Sequence, residues 1–227
     1  MKIKNILLTV ACISTLAACG GNGDYTPKPQ AYLRIDMPEH SYWLVDSLCS
    51  HPGDTLVFGT DTSIVITGSC KTFPFTFEAN TCVELREKGA PKGEEWMDLY
   101  YPQWDGVIYL TYKHLSGRDD LRGQIDTSSR MLEKHYQFAS GIDEQAFESE
   151  DHTVHAVKWH LKGKNVASTY QFYATDSTRH FLRGALFINR PPNNDSLAPV
   201  LEYMQRDLDH LIETLRWRPK FQLQVQH

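Results

Sequence analysis

Near its C-terminus the chain carries Leu197, Val200, Leu201, Met204, Leu208, Leu211, Ile212 and Leu215, a broad apolar stripe at helical spacing. Such a stripe demands a partner surface, because burying one large aliphatic side chain is worth about 1.5–3 kcal/mol only where something covers it. A partner lies just upstream. Residues 154–161, 166–175 and 180–188 are three runs of strand pattern, separated by Lys162-Gly163-Lys164-Asn165 and Asp176-Ser177-Thr178, which together predict an antiparallel meander. In the middle run Val166, Tyr170, Phe172 and Ala174 share one side and Thr169, Gln171, Tyr173 and Thr175 the other. The first side predicts core, the second a partly wet face.

The stripe predicts a helix at about 196–216, capped by Ser196, with Pro199 in its first turn and Trp217 and Pro219 marking its end. A second helix is predicted at about 116–137. Ser116 and Asp119 form an acidic variant of the capping box, and Leu121, Ile125, Leu132 and Tyr136 would form its packed face. Residues 31–36, 41–46, 73–77, 96–101 and 107–113 read as further strands, whereas 86–95 reads as a charged loop. Residues 46–95 as a whole read as a β-rich excursion, with short apolar runs at 55–58 and 63–66. Neither helix is framed by a repeating βαβ pattern. The expected fold class is therefore α+β, a mainly antiparallel sheet packed by two helices in one layer or one on each face, forming a single domain over 31–217 with a tail at 218–227.

The other end of the chain predicts where this domain works. Lys2 and Lys4 precede a short apolar stretch from Ile6 to Leu16, and Leu16-Ala17-Ala18-Cys19 matches a lipobox. The apolar stretch is too short to cross a hydrocarbon core, which needs about 20 residues. Residues 1–18 are thus expected to be a signal peptide, and Cys19 the lipidated first residue of the mature protein, which would attach to membrane lipid through its acyl chains. Gly20-Gly21-Asn22-Gly23-Asp24 and Tyr25-Thr26-Pro27-Lys28-Pro29 follow as a flexible and then an extended tether, up to about residue 30.

Removing the signal leaves 21 Lys and Arg against 28 Asp and Glu, a formal charge of −7, with no basic face for nucleic acid. Export also places Cys49, Cys70 and Cys82 in an oxidising compartment. Cys49 with Cys70 is the preferred disulfide, since both flank one strand-rich segment, although spacing alone leaves the pairing open.

The search for chemistry gives no catalytic, metal or cofactor set. His152, His155 and His160 are the densest histidines, but on a strand His155 and His160 point to opposite faces, and His152 and His160 lie too far apart to share an ion. Asp176, Ser177 and His180 share one turn and could be read as a hydrolase or small-ligand site; hairpin-turn duty explains them more simply. No G-x-S-x-G elbow or P-loop is present. Asp207, Asp209 and Glu213 read as the solvated face of the last helix.

Several blocks carry a family resemblance. They are Tyr25-Thr26-Pro27-Lys28-Pro29, Arg34-Ile35-Asp36-Met37-Pro38, Phe73-Pro74-Phe75, Gln171-Phe172-Tyr173-Ala174-Thr175-Asp176-Ser177, His180-Phe181-Leu182-Arg183-Gly184-Ala185-Leu186-Phe187, Asp195-Ser196-Leu197-Ala198-Pro199-Val200 and His210-Leu211-Ile212-Glu213-Thr214. Together they resemble the gliding-motility lipoprotein GldD family of Bacteroidota over most of the mature chain. The resemblance implies a non-enzymatic envelope lipoprotein without cofactors, associated with the gliding apparatus and type IX protein secretion, whose partners are envelope proteins of that apparatus. Gly20 after the lipidated Cys19, with no acidic run following, favours the outer membrane facing the periplasm. The hairpin spanning 170–187 is the expected contact surface, with Tyr173, Asp176, His180 and Arg183 as its binding residues.

Overall fold

The structure, a computed structural model, describes residues 36–49 and 70–218. The signal peptide, Cys19, the tether, most of the strand expected at 31–36, the runs at 55–58 and 63–66 and the tail beyond Arg218 lie outside the described residues. In chain order the elements are β1 (Tyr42–Cys49), β2 (Cys70–Asn80), β3 (Glu84–Lys88), β4 (Glu94–Tyr101), β5 (Gly106–His114), α1 (Arg118–Glu133) and a 3-10 turn (Tyr136–Phe138). They continue with β6 (Gly141–Glu148), β7 (His155–Lys162), β8 (Tyr170–Thr175), β9 (His180–Ile188), α2 (Asn194–Thr214) and β10 (Arg216–Trp217). This is the expected α+β class, with mostly antiparallel sheet and two helices.

Seven strands form one sheet in the order β3-β4-β5-β9-β8-β7-β6, and β1-β2-β10 form a second. The large sheet is two meanders fused where β5 pairs with β9, from Gly106↔Ile188 to His114↔His180. The chain leaves the first meander at β5, passes through α1, enters the second at the far edge and returns to the centre. Period-two alternation then sorts the side chains. On the inner face Leu99, Tyr101, Ile108, Leu110, Phe172, Leu182 and Leu186 share one core with Val200, Met204, Leu208 and Leu211 of α2 and Phe73, Phe75 and Phe77 of β2. Gly184 stands opposite Phe172, and a Cβ there would lie 2.0 Å from the Phe172 ring, so the ring occupies the space a side chain would need. On the outer face Leu132 of α1 joins Trp159, Leu161 and Val166 in a smaller core, with Tyr173 packed against it.

Several sequence expectations are corrected. The cap of α1 is Gly117 rather than Ser116, at φ 151° and ψ −170°, a conformation essentially reserved for glycine. Ser116 instead donates its backbone N–H to Asp120 Oδ2 at 3.0 Å, so Asp120, not Asp119, closes the helix start. The helix ends at Glu133, leaving Tyr136 in the 3-10 turn and 47 % exposed instead of on a packed face. Helix α2 begins before Ser196, with Asn193 as its cap. Asn194 explains the early start, because its Nδ2 donates to the carbonyls of Gly163 at 2.6 Å and Val166 at 3.0 Å. Pro199 consequently falls in the second turn, where it forfeits one i→i−4 bond.

Within the β-rich stretch expected at 46–95, residues 70–95 supply β2, β3 and the start of β4. The charged residues at 86–95 are strand at both ends because β3 is an edge whose side chains reach solvent, and only residues 89–93 form the connection, closed by Glu94 N–H on Pro91 O at 3.1 Å. Strand β8 starts at Tyr170, not Val166. Its second face is drier than expected, since Gln171 and Thr175 are buried. Strand β6 was not expected at all, because an edge strand exposed along most of its length shows no apolar alternation.

Candidate functional site

The β8–β9 hairpin does not present its four expected contact residues on one surface. Tyr173 and Arg183 stand opposite each other on the outer face. Tyr173 stacks on Phe181 with ring centroids 5.4 Å apart, and the Arg183 guanidinium donates to Gln171 Oε1 at 2.8 Å. Burial pulls the Arg183 pKa below its ordinary value. His180 differs from Arg183 by an odd number and leaves through the inner face. There it is buried, with Nδ1 2.8 Å from the Tyr112 hydroxyl and its ring stacked on Trp217 at 5.1 Å, and burial lowers its pKa.

Asp176 serves the turn itself. Its carboxylate accepts the backbone N–H groups of Thr178, Arg179 and His180 at 2.7–2.9 Å and the Thr178 hydroxyl at 2.7 Å. Burial works against its ionisation, but the bonds from His180, Arg179 and Thr178 outweigh it and hold its pKa below the usual carboxylate value. Ser177 takes φ 65° at the tip, with its N–H on Thr175 Oγ1 at 2.9 Å. Asp176, Ser177 and His180 are thus neighbours in a turn without a hydrogen bond linking serine to imidazole.

An aromatic surface lies on the outer face of the adjoining strands β4, β5 and β9. The register sets Trp96 beside Lys88, Asp98 beside Arg86 and Tyr109, and Val107 beside Tyr100 and Phe187. Trp96, Tyr100, Tyr109 and Phe187 are all half-buried. Arg86 lies 3.4 Å from the Tyr100 ring centroid and Lys88 4.8 Å from that of Tyr109. Lys88 also pairs with the buried Asp98, and Arg86 with Glu84 at 2.7 Å. Tyr109 and Phe187 pack at 5.5 Å and complete the platform. The signal was present in β4 and β5, whose apolar residues fill one face while aromatics recur on the other. Taking 86–95 as a loop hid the two cations.

A second constellation is buried. Asp207, expected on a solvated helix face, is only 4 % exposed. Its carboxylate accepts the Tyr42 hydroxyl at 3.0 Å, Asn80 Nδ2 at 3.0 and 3.1 Å and the Tyr101 hydroxyl at 2.9 Å, and it lies 2.7 Å from His40 Nδ1. Two stacks close over this cluster, His40 on Tyr203 at 4.0 Å and Tyr42 on His210 at 3.7 Å. His210 in turn meets Glu78 at 2.7 Å. The cluster fastens the segment entering β1 to α2 and β2. Cys82 borders it, with Sγ 3.9 Å from the Tyr203 hydroxyl, and burial pushes its thiol up to about 11, away from thiolate chemistry. The remaining two helix acids are surface groups: Asp209 pairs with Lys158, and Glu213 is exposed.

Among the described residues no three His, Cys, Asp or Glu side chains converge on a possible metal position. His155 lies 3.6 Å from Glu148, whereas His160 faces the other way and stacks on Tyr170 at 4.3 Å. No described helix is long and apolar enough to cross a membrane.

Fold and site together define an α+β domain in which one long helix fills the inner face of a seven-stranded sheet and a short helix covers only part of the outer. The family profile of gliding motility lipoprotein GldD matches residues 66–217, and the chain belongs to that family. Membership ties the protein to gliding motility and, as a lipoprotein family, to the cell envelope. No curated protein and no solved structure matches the chain.

Proposed function

We propose that this protein is a non-enzymatic lipoprotein, attached through acylated Cys19 to the periplasmic face of the outer membrane, that supports gliding motility and type IX secretion by binding envelope proteins. The observation that carries the binding role is the platform of Trp96, Tyr100, Tyr109 and Phe187 flanked by Arg86 and Lys88. Trp, Tyr and Arg dominate binding energy at protein interfaces, because they combine a large contact area with a polar end that can hydrogen-bond. The tether agrees with this reading, since an acyl chain with a short spacer restricts the domain to partners near one membrane.

The test compares wild type with Tyr109→Ala combined with Arg86→Glu, both changes at partly exposed positions on the platform. The variant is expected to remain folded and membrane-attached, to lose co-purifying envelope proteins, and to impair spreading and secretion. A folded variant that retains its partners with wild-type spreading and secretion would overturn the assignment. For the anchor, Cys19→Ala is expected to abolish palmitate labelling and release the protein from the membrane fraction.

A further inference from the structure

Strand β6 closes the large sheet on the side away from β3, and no described strand pairs with its outer edge. It is eight residues long, matched over its full length to β7 from Gly141↔Lys162 to Glu148↔His155, and exposed along most of that length. An edge strand directs the N–H and C=O of every second residue outward, a template on which another extended chain can add. Natural edges are kept free of such additions by shortness, proline, bulges or charge. Here the strand is long, it contains no proline, and its register with β7 runs unbroken. Among the described residues only charge guards it.

That charge has one sign. From Gly141 to His152 there are five carboxylates, Asp143, Glu144, Glu148, Glu150 and Asp151, and no Lys or Arg. Two lysines reach this side from β7: Lys162 pairs with Asp143, and Lys158 with Asp209 of α2. Among the described ion pairs none joins Glu144, Glu150 or Asp151 to Lys or Arg, and Glu148 meets only His152 at 2.7 Å and His155 at 3.6 Å. On the inner side a groove between β6 and α2 is lined by Asp143, Gln145, Lys158, His160, Gln205 and Asp209. Alternate side chains of an added strand would meet this groove on one face and Ile142, Glu144 and Ala146 on the other.

We propose that β6 is a docking edge that pairs by strand addition with an extended, basic segment of a partner protein. Main-chain hydrogen bonds along the edge supply affinity, and the acidic flanks select for alternating Lys or Arg. The same carboxylates repel a second copy presenting its own β6, so the edge resists self-pairing while staying open to the opposite charge. This surface is separate from the aromatic platform, and the proposal stands or falls independently of it.

The experiment titrates the full-length protein in detergent micelles with three fluorescent peptides. One alternates Lys and Val, the second alternates Glu and Val, and the third is the basic peptide N-methylated at alternate amides, which preserves its charge and removes one edge of hydrogen-bond donors. The basic peptide is expected to bind at least tenfold more tightly than either other, with slowed hydrogen exchange at 141–148. D143K combined with E148K, both at solvent-exposed positions, is expected to weaken it tenfold or more while the circular dichroism stays unchanged. Equal binding of the N-methylated peptide would reduce the effect to ionic adsorption and overturn strand addition. Equal binding of the acidic peptide would overturn the charge selection, and a β6-to-β6 dimer in solution would overturn the choice of occupant.

Discussion

Replacing Asp207 tests whether the buried cluster fastens the start of β1 to the core. The carboxylate takes bonds from Tyr42, Asn80 and Tyr101 and faces His40 Nδ1, all at 2.7–3.1 Å. Asp207→Ala deletes the shared acceptor and strands these groups inside the protein. Leaving one buried polar group unsatisfied costs about 1–3 kcal/mol, and groups that can turn to water or to each other recover part of that. His40 and Tyr42 are partly exposed and can turn; Asn80 and Tyr101 are buried and cannot. Two stranded groups give an expected loss of about 3–5 kcal/mol, a large share of a typical domain's stability. Asp207→Asn keeps one oxygen for His40, Tyr42 and Asn80 and puts an NH2 group against the Tyr101 hydroxyl, which can accept it, so the expected loss is about 1–2 kcal/mol. Asp209→Ala removes only a surface ion pair with Lys158 and should cost less than about 1 kcal/mol. Urea titrations followed by tryptophan fluorescence give all three values. An Asp207→Ala variant as stable as Asp209→Ala would refute the role of the cluster.

Burial, reinforced by Asp207, raises the Tyr101 pKa well above its ordinary 10.0, and burial likewise raises Tyr42 and Tyr203. The unfolded chain releases these protons near pH 10 while the folded chain keeps them, so stability is intact below pH 10 and falls above it, by up to about 1.4 kcal/mol per pH unit for the fully buried Tyr101. Melting temperatures between pH 9 and 11 should fall less steeply for Tyr101→Phe than for wild type, and equal slopes would contradict this. Gly184→Ala forces a Cβ to within 2.0 Å of Phe172 and should cost about 3 kcal/mol, with Phe172→Leu recovering part of it in the double variant; additive losses in a denaturation cycle would argue against the contact. The backbone register of β1 and β2 sets Cys49 directly opposite Cys70. Opposed antiparallel residues lie about 4.5–5.5 Å apart at Cα, within the span of a disulfide. Peptide mapping without reductant should find the two joined, and reduction should cost about 3 kcal/mol; two freely alkylated thiols would exclude the bond.

The elements legible in the sequence were those with a periodic apolar side or a continuous apolar run. The stripe on α2 and the alternation in β7 trace burial on one side, whereas β8 and β9, buried nearly throughout, show as apolar and aromatic runs. Strand β6 left none, since both its faces meet solvent along most of its length, and β3 hid behind charges that an edge strand tolerates. The residues expected as one contact surface diverge for a related reason: Asp176, His180 and Arg183 are close in sequence, but turn duty and strand parity send them to different surroundings.

By itself the sequence determined the α+β class, the antiparallel meander and the long helix, because each rests on local pattern or short-range chemistry. Tertiary structure alone decided which polar groups are buried and which aromatics stay only half-buried. Asp207 and Asp209 sit two residues apart on one helix, yet the first lies under β1, β2 and β4 and the second at the surface. The partners that set that difference, Tyr42, Asn80 and Tyr101, are more than a hundred residues distant in sequence. The platform of Trp96, Tyr100, Tyr109 and Phe187 arises in the same way, from the pairing of β4, β5 and β9.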